Sequence, residues 1–156
     1  LPLINLLFPS SKIIFTHRNP YDTVLSCFQQ AFEPNTAMSN YRSIDSASLI
    51  YDLTMNIWLD YKKNLKMNFI TSKYEDLIVD FDKHILKILD FLNVSWDENI
   101  KNYRKTAHKR GKINTPSSSQ VVQPLYKSSI DKWKNYEKYF KNSNRYLQKW
   151  ISYFKY

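Results

Sequence analysis

Arg18 and Ser26 are the two residues whose types and spacing best suit the binding of an anion. They lie eight positions apart in residues 12–30, which read KIIFTHRNPYDTVLSCFQQ. An arginine guanidinium offers a planar fork of hydrogen-bond donors and a serine adds a hydroxyl, a combination suited to a terminal phosphate. By spacing alone, a surface ion pair between Arg18 and Asp22 and a small packing serine at position 26 are equally compatible with the sequence.

A strand followed directly by a helix is expected to position these two residues. Residues 12–16 form a β-branched and aromatic run that is typical of a short buried strand. Asn19-Pro20 ends this run, and because proline is tolerated in the first turn of a helix, we predict a helix over residues 21–32. Ligands of open α/β sheets bind beyond the carboxyl ends of the strands, and a helix N-terminus favours an anion there. The sequence therefore places Arg18 at the ligand-binding edge of a sheet.

Strand and helix patterns alternate along the rest of the chain, which favours an α/β layered fold over an all-helical one. A second strand candidate lies at residues 69–72, and the polar residues 104–120 are predicted to form a long ligand-facing loop. The helices predicted from apolar spacing and capping residues are 46–65, 77–92, one that opens at Trp96-Asp97, one that Ser128 or Ser129 caps and that runs through Phe140, and 147–154.

The composition excludes several classes of function. The chain has 156 residues, 43% of them hydrophobic, which is enough for one domain, or a piece of one, with a real core. The single glycine, Gly111, excludes a GxGxxG fingerprint and a Walker A loop, and the single cysteine, Cys27, excludes an internal disulfide and a CxxC motif. No apolar run reaches the length of a membrane span. The three histidines lack metal-ligand spacing, so we predict no metal site.

Positive charge is concentrated in the last third of the chain. Residues 104–156 carry 13 basic and 2 acidic side chains, which accounts for the net charge of +9 of the whole chain. This asymmetry indicates an anionic partner near the C-terminal third, and a solvated lysine-rich face is the alternative. A non-enzymatic module that binds nucleic acid or a nucleotide is one possible function, since lysines interspersed with Trp133, Tyr136 and Phe140 suit single strands. The helical spacing of these aromatic residues favours ordinary packing, which makes nucleic acid the less favoured partner.

The motif Arg18-Asn19-Pro20-x-Asp22 followed by Ser26 resembles the 3′-phosphate-binding motif of sulfotransferases, written R-[DN]-P-x-D-x-x-x-S. These enzymes transfer a sulfuryl group from 3′-phosphoadenosine 5′-phosphosulfate (PAPS) to an acceptor. The Y-E-D-L element at 74–77 and the F-L-x-x-x-W-D element at 91–97 resemble later parts of the same family. The resemblance implies that Arg18 and Ser26 hold the 3′-phosphate and that Tyr74 reaches the nucleotide. For Tyr74, a half-buried core tyrosine that satisfies its own hydrogen bond is the alternative.

Residues 115–133 narrow the resemblance to the protein-tyrosine sulfotransferases and to bacterial sulfotransferases fused to tetratricopeptide repeats. They fit the S-x-x-Q-V-x-x-P run of that group and its basic residue before tryptophan. The resemblance implies a catalytic role near the sulfuryl group for Ser117, or for Ser118 if the register shifts by one, and contact with the nucleotide for Lys132. A loop serine and a solvated helix lysine are the alternatives. Like phosphoryl transfer, sulfuryl transfer is expected to rely on such positioned groups rather than on a metal.

The resemblance also implies the fold and the extent of the domain. The fold implied is α/β, part of a three-layer P-loop-like sulfotransferase fold with a short parallel sheet flanked by helices. The family's 5′-phosphosulfate loop precedes the arginine motif, so residues 1–156 are expected to be the C-terminal portion of a single sulfotransferase domain and to be inactive alone. Upstream tetratricopeptide repeats, a protein-tyrosine or glycan acceptor and a cytoplasmic location are further expectations. A degenerate member that binds the nucleotide without transfer is the alternative.

Overall fold

The protein combines helices with a short parallel sheet. The computed structural model describes residues 1–30, 32–33, 35–109 and 123–156. None of the helices described there is both long and apolar enough to cross a membrane. Short 3₁₀ helices occupy Met38–Tyr41, Glu98–Asn102, Lys127–Ser129 and Lys132–Phe140. The strands β1 and β2 are Lys12–His17 and Asn68–Lys73, and the α-helices, α1 to α7 in chain order, are Pro2–Leu7, Pro20–Gln29, Ile44–Asn64, Tyr74–Val79, Phe81–Leu92, Tyr103–Lys109 and Asn144–Phe154.

The two strands pair in parallel and bring their following residues to one edge. Lys12 lies opposite Asn68, and His17 lies opposite Lys73. Because parallel strands run in the same direction, both end at the same edge of the sheet. Arg18 directly follows β1 and Tyr74 directly follows β2. The register of the sheet therefore places Arg18 and Tyr74 close to each other.

Helices cover both faces of the sheet. Successive side chains of a strand point to opposite faces. On one face, Phe15 stacks on Trp58 of α3 with ring centroids 4.0 Å apart, and Phe69 meets the same indole edge-on at 5.2 Å. On the other face, Ser72 forms a hydrogen bond of 2.8 Å with His84 of α5. The strands thus form a middle layer between α3 and α5, and the predicted α/β fold with a short parallel sheet flanked by helices is confirmed.

The local sequence explains why α2 begins directly beyond β1. The side-chain oxygen of Asn19 accepts a hydrogen bond of 2.9 Å from the backbone N–H of Tyr21, which satisfies one of the free donors at the helix start. Pro20 occupies the first helical position, where its missing N–H costs nothing. The predicted start of this helix is confirmed, and the helix ends at Gln29, somewhat earlier than predicted.

A hydrophobic core joins α2 and α3 to the C-terminal third of the chain. Trp133 and Tyr136 pack against this core from the 3₁₀ helix Lys132–Phe140. The aromatic residues of that helix therefore pack against the protein, as their spacing indicates. The buried members of the core are Tyr21, Val24, Leu25, Ala47, Phe140 and Leu147.

The helix predicted over residues 77–92 is divided in two. The first part, α4, ends at Val79, and α5 begins at Phe81. Asp80 causes the break, because its side chain accepts a hydrogen bond of 3.1 Å from the backbone N–H of Lys83 and so caps a new helix.

Two predictions for the C-terminal half are wrong in part. The helix through Phe140 is a 3₁₀ helix that begins at Lys132 and is preceded by Asp131, so Ser128 and Ser129 do not cap it. Within the predicted loop 104–120, the residues up to Lys109 belong to α6, and 110–120 lie outside the described residues. The polar composition that indicated a loop is also that of an exposed helix.

Candidate functional site

Arg18 lies at the carboxyl edge of the sheet, as predicted, and its guanidinium lies between two segments that are distant in sequence. Nη2 donates a hydrogen bond to the carbonyl oxygen of Ser129 and lies 3.8 Å from Oδ1 of Asp22. The carbon Cζ lies 5.3 Å from the centre of the Tyr74 ring, a cation–π distance. The ion pair with Asp22, one of the alternatives for Arg18, is therefore present in the structure.

The guanidinium nevertheless has a buried donor without a partner among the described residues. This donor is Nε of Arg18. A buried donor without a partner is energetically unfavourable, so an acceptor that reached this group would stabilise the site.

Two cavities meet at Arg18 and Ser26. The smaller has a volume of about 290 Å³ and the larger a volume of about 540 Å³. Tyr126 and Ser129 also belong to both walls. The smaller cavity is completed by Asp22, Leu25, Gln29, Gln30, Ser128 and Lys132. The larger one is completed by Thr16, His17, Thr23, Val24, Cys27, Tyr41, Ala47, Ile50, Tyr51, Thr54, Met55 and Tyr74.

The structure brings together the predicted nucleotide-binding residues. Ser26 lines both cavities beside Arg18, Lys132 lines the smaller one and Tyr74 the larger one. Nζ of Lys132 donates a hydrogen bond of 2.9 Å to Oε1 of Gln29 on α2. The predicted catalytic residue Ser117 and its rival at position 118 lie outside the described residues.

Tyr74 is held by a hydrogen bond as well as by the guanidinium above its ring. Its hydroxyl donates to the carbonyl oxygen of Tyr126 at 3.2 Å. Burial raises the pKa of the Tyr74 hydroxyl, and the nearby Arg18 opposes this shift. The hydroxyl therefore stays protonated at neutral pH, and Tyr74 can act as a hydrogen-bond donor but not as a base.

A network of polar side chains fastens the two strand ends to each other. Oε1 of Glu75 accepts a hydrogen bond of 2.9 Å from the backbone N–H of Asn19, and Oε2 accepts one of 3.1 Å from the hydroxyl of Tyr156. The same hydroxyl lies 3.0 Å from Nδ1 of His17. Because the tyrosine proton is directed to Glu75, its oxygen accepts the proton of Nδ1, so the network defines the tautomer of the imidazole.

Comparison with known proteins assigns the chain to a family. The sequence matches the family model described as "Sulfotransferase family" over residues 1–98, a range that includes Arg18, Ser26 and Tyr74. The chain belongs to the sulfotransferase family. An uncharacterised protein of Aquifex aeolicus (strain VF5) is 29% identical to it over 141 residues, which are 88% of this chain. The chain spans 18% of the length of this relative.

In this sulfotransferase chain, sequence reasoning gave Asp22 only as an ion-pair partner of Arg18 and missed its contacts with the C-terminal third. Its carboxylate is buried, and it accepts hydrogen bonds from the backbone N–H groups of Asp131 and Trp133 at 2.8 and 2.9 Å. Burial raises the pKa of Asp22, while the N–H of Trp133 and the charge of Arg18 lower it. The motif contains this aspartate, but only the folded chain shows what it binds.

Sequence reasoning also missed much of the second wall of the cavities. Gln29 lies at the end of α2, and Tyr126, Ser128 and Ser129 lie at or in the short 3₁₀ helix Lys127–Ser129, and no period or motif marks these residues as cavity walls. Arg18 contacts Ser129, Tyr74 contacts Tyr126, and Lys132 contacts Gln29.

The described residues also bear on metal and thiol chemistry. No group of three or more histidine, cysteine, aspartate or glutamate side chains there could hold a metal ion. Cys27 lines the larger cavity, but burial raises the pKa of its thiol. The thiol is therefore less nucleophilic than an ordinary cysteine at neutral pH.

Proposed function

We propose that this chain binds the 3′-phosphate of PAPS through Arg18, Ser26 and Lys132 and thereby serves a sulfuryl-transfer reaction. The observation that carries the proposal is the joint position of Arg18, Ser26 and Lys132 in the wall of the smaller cavity, where Arg18 also has a buried Nε without a partner among the described residues. Membership of the sulfotransferase family supports it independently.

The donor set of the smaller cavity suits a terminal phosphate. A phosphate presents several acceptor oxygens and a charge near −2 at neutral pH, so it needs donors and positive charge together. Arg18 and Lys132 supply the charge, and the hydroxyls of Ser26 and Ser128 add neutral donors. A volume of about 290 Å³ accommodates such a group. Asp22 opposes an anion, so the cationic side chains must outweigh it.

The chemistry assigned to these residues is binding and orientation. In sulfuryl transfer, the acceptor oxygen forms a bond to sulfur as the bond from sulfur to the 5′-phosphate oxygen breaks. The acceptor proton passes to a base, and adenosine 3′,5′-bisphosphate leaves. Holding the nucleotide at its 3′-phosphate fixes where the sulfuryl group lies, and such positioning alone can supply a large part of a rate enhancement. Ser117 is proposed to donate a hydrogen bond near the sulfuryl oxygens, as its place in the family pattern implies.

The acceptor is proposed to be a hydroxyl or phenol, on a protein tyrosine or a glycan. The basic C-terminal third supports an acidic acceptor, because positive charge concentrates an anionic substrate near the site. Tetratricopeptide repeats upstream in the full-length protein would suit a protein acceptor, and the short share of the Aquifex relative that this chain covers is compatible with them.

We infer further that residues 1–156 are the C-terminal portion of one sulfotransferase domain and supply the half that binds the 3′-phosphate. This inference predicts that the chain alone binds the nucleotide but transfers little sulfuryl. The same chain extended by its natural upstream sequence should consume PAPS with a tyrosine peptide or a glycan as acceptor. An extended protein that binds PAPS but never consumes it would instead support the degenerate, non-transferring alternative.

A comparison of two nucleotides tests the binding proposal. Adenosine 3′,5′-bisphosphate and adenosine 5′-monophosphate differ only in the 3′-phosphate, and their affinities for the chain are measured by titration calorimetry at one fixed salt concentration. We expect the bisphosphate to bind at least about tenfold more tightly, and Ser26→Ala to remove much of this preference, since a hydrogen bond to a charged group contributes about 1.5–3 kcal/mol. Thr54→Val, at the wall of the larger cavity only, is the control. Equal affinities for the two nucleotides would contradict the proposal.

A further inference from the structure

Asp22 is a buried carboxylate in the wall of the 290 Å³ cavity. Its side chain is 0% exposed. Oδ2 accepts a hydrogen bond of 2.8 Å from the backbone N–H of Asp131, and Oδ1 accepts one of 2.9 Å from the backbone N–H of Trp133. Both oxygens of one side chain thus bind the two residues that flank Lys132.

The segment that Asp22 holds has a backbone that benefits from such support. Asp131 has a φ of 59°, the left-handed region that is unfavourable for a residue with a Cβ atom. It directly precedes the 3₁₀ helix Lys132–Phe140. Hydrogen bonds from backbone N–H groups to a carboxylate are stronger than neutral ones. Asp22 therefore fixes the backbone from which the side chain of Lys132 projects.

The direction of Lys132 follows from this anchoring. Its Nζ reaches Gln29 on α2 and its side chain lines the smaller cavity, although the residue is exposed overall. An exposed lysine on an unsupported backbone samples many conformations. A ligand that orders such a side chain loses part of its binding free energy to the entropy of this ordering. A fixed backbone lowers that cost.

We propose that Asp22 is a positioning residue, which fixes the backbone around Lys132 so that the ammonium group faces the 3′-phosphate site. This inference rests on the proposed function, because it assumes that the smaller cavity binds the phosphate. A carboxylate at this place repels a phosphate directly. The two possible roles therefore have opposite signs: an aspartate that acts only by its charge weakens phosphate binding, whereas a positioning aspartate strengthens it through Lys132.

A double-mutant cycle of Asp22→Asn and Lys132→Ala separates these roles. Asparagine keeps the volume of the side chain but removes the charge and leaves one acceptor for two N–H groups. Calorimetry measures the affinities for adenosine 3′,5′-bisphosphate and adenosine 5′-monophosphate, and thermal denaturation checks that each variant is folded. Asp45→Asn is the matched control, because Asp45 also accepts a hydrogen bond and pairs with a cation but lies outside the cavity walls.

We expect Lys132→Ala and Asp22→Asn each to weaken bisphosphate binding by about fivefold, and the double variant to be weakened by about fivefold as well. Binding of the monophosphate should change by less than about twofold in all three variants, which is the usual limit for sites that do not interact. The control Asp45→Asn should leave both affinities unchanged.

Two outcomes overturn the inference: tighter or unchanged bisphosphate binding by Asp22→Asn, or a double variant in which the two losses multiply to about 25-fold. If Asp22→Asn does not fold, Asp22→Ser replaces it in the same cycle, since serine keeps one acceptor in a smaller side chain. Failure of the proposed function looks different. A wild-type chain that does not prefer the bisphosphate refutes that function and this inference together, whereas a preference that Ser26→Ala abolishes but Asp22→Asn leaves intact refutes only the inference.

Discussion

The two cavities share the wall of Arg18 and Ser26, but their other walls differ in chemistry. The 290 Å³ cavity is completed mainly by polar and charged side chains, among them Lys132, whereas helix α3 gives the 540 Å³ cavity apolar residues such as Ile50 and Met55. Charged walls select a ligand by its charge, and apolar walls select it by shape and buried area. The dependence of binding on a phosphate should therefore reside in the smaller cavity and in the shared wall.

Removal of Arg18 should have the largest effect, because this residue belongs to both cavities. Arg18→Ala should weaken binding of adenosine 3′,5′-bisphosphate by about a hundredfold, since loss of one partner from a desolvated charge pair costs about 2–5 kcal/mol. Titration calorimetry measures the loss. Arg18→Lys should recover only part of it, because an ammonium lacks the planar fork of donors.

Arg145→Ala is the charge-matched control for that variant. Arg145 lies on α7, is exposed and pairs with Asp45 at 3.5 Å, away from both cavities. The variant Arg145→Ala should leave the affinity for adenosine 3′,5′-bisphosphate nearly unchanged. Equal losses for the two arginine variants would show that overall charge and not the shared wall binds the nucleotide.

Lys132→Ala should have a smaller effect, because an exposed ammonium is a screened point charge. We expect a loss of about fivefold for the bisphosphate and a weaker dependence of its affinity on salt concentration. Lys138→Ala, on the same 3₁₀ helix but outside both cavity walls, should change neither quantity. If the affinity of Lys132→Ala and that of Lys138→Ala depend equally on salt concentration, the phosphate binds elsewhere on the basic surface.

The two cavities also differ in how far the sequence predicts them. Arg18 and Ser26 stand out by residue type and spacing, and the family resemblance adds Lys132, so the sequence indicates the charged side of the site. The α3 residues Ile50 and Tyr51 could not, because apolar residues at helical spacing look the same whether they face a core or a cavity. The fold could be predicted from the alternation of strand and helix patterns. The break at Asp80 could not, because the apolar stripe continues across it while the Asp80 side chain caps a new helix.

Filling the larger cavity should separate its role from that of the smaller one. Ile50→Trp places a larger side chain in the wall that α3 contributes. Because this wall carries no charge, the variant should change the affinities for the bisphosphate and the monophosphate by the same factor, and their ratio should stay within about twofold of the wild-type ratio. A ratio that collapses would mean that the 3′-phosphate extends into the larger cavity and that the contrast between the two cavities is wrong.

His17, in the wall of the larger cavity, is titratable. The smallest expected effect is its contribution to the free energy of unfolding. Burial lowers the pKa of His17 below its ordinary value of 6.5, Lys73 lowers it further, and the carboxylates of Glu75 and Asp76 oppose the shift. The unfolded chain therefore binds more protons than the folded chain in the window below pH 6.5, so the contribution of His17 to stability is lost as the pH falls through that window.

His17→Gln isolates this contribution, because glutamine does not titrate. Between pH 7 and pH 5, the free energy of unfolding of the wild type, measured with urea, should fall more steeply than that of the variant. His84, which burial shifts in the same direction, is present in both proteins and cancels in the difference. If the pH profiles of the wild type and of His17→Gln are parallel, the hydrogen bond between Nδ1 and the hydroxyl of Tyr156, together with Glu75, stabilises the protonated imidazole as well as the neutral one. The wall of the larger cavity would then stay intact in acid.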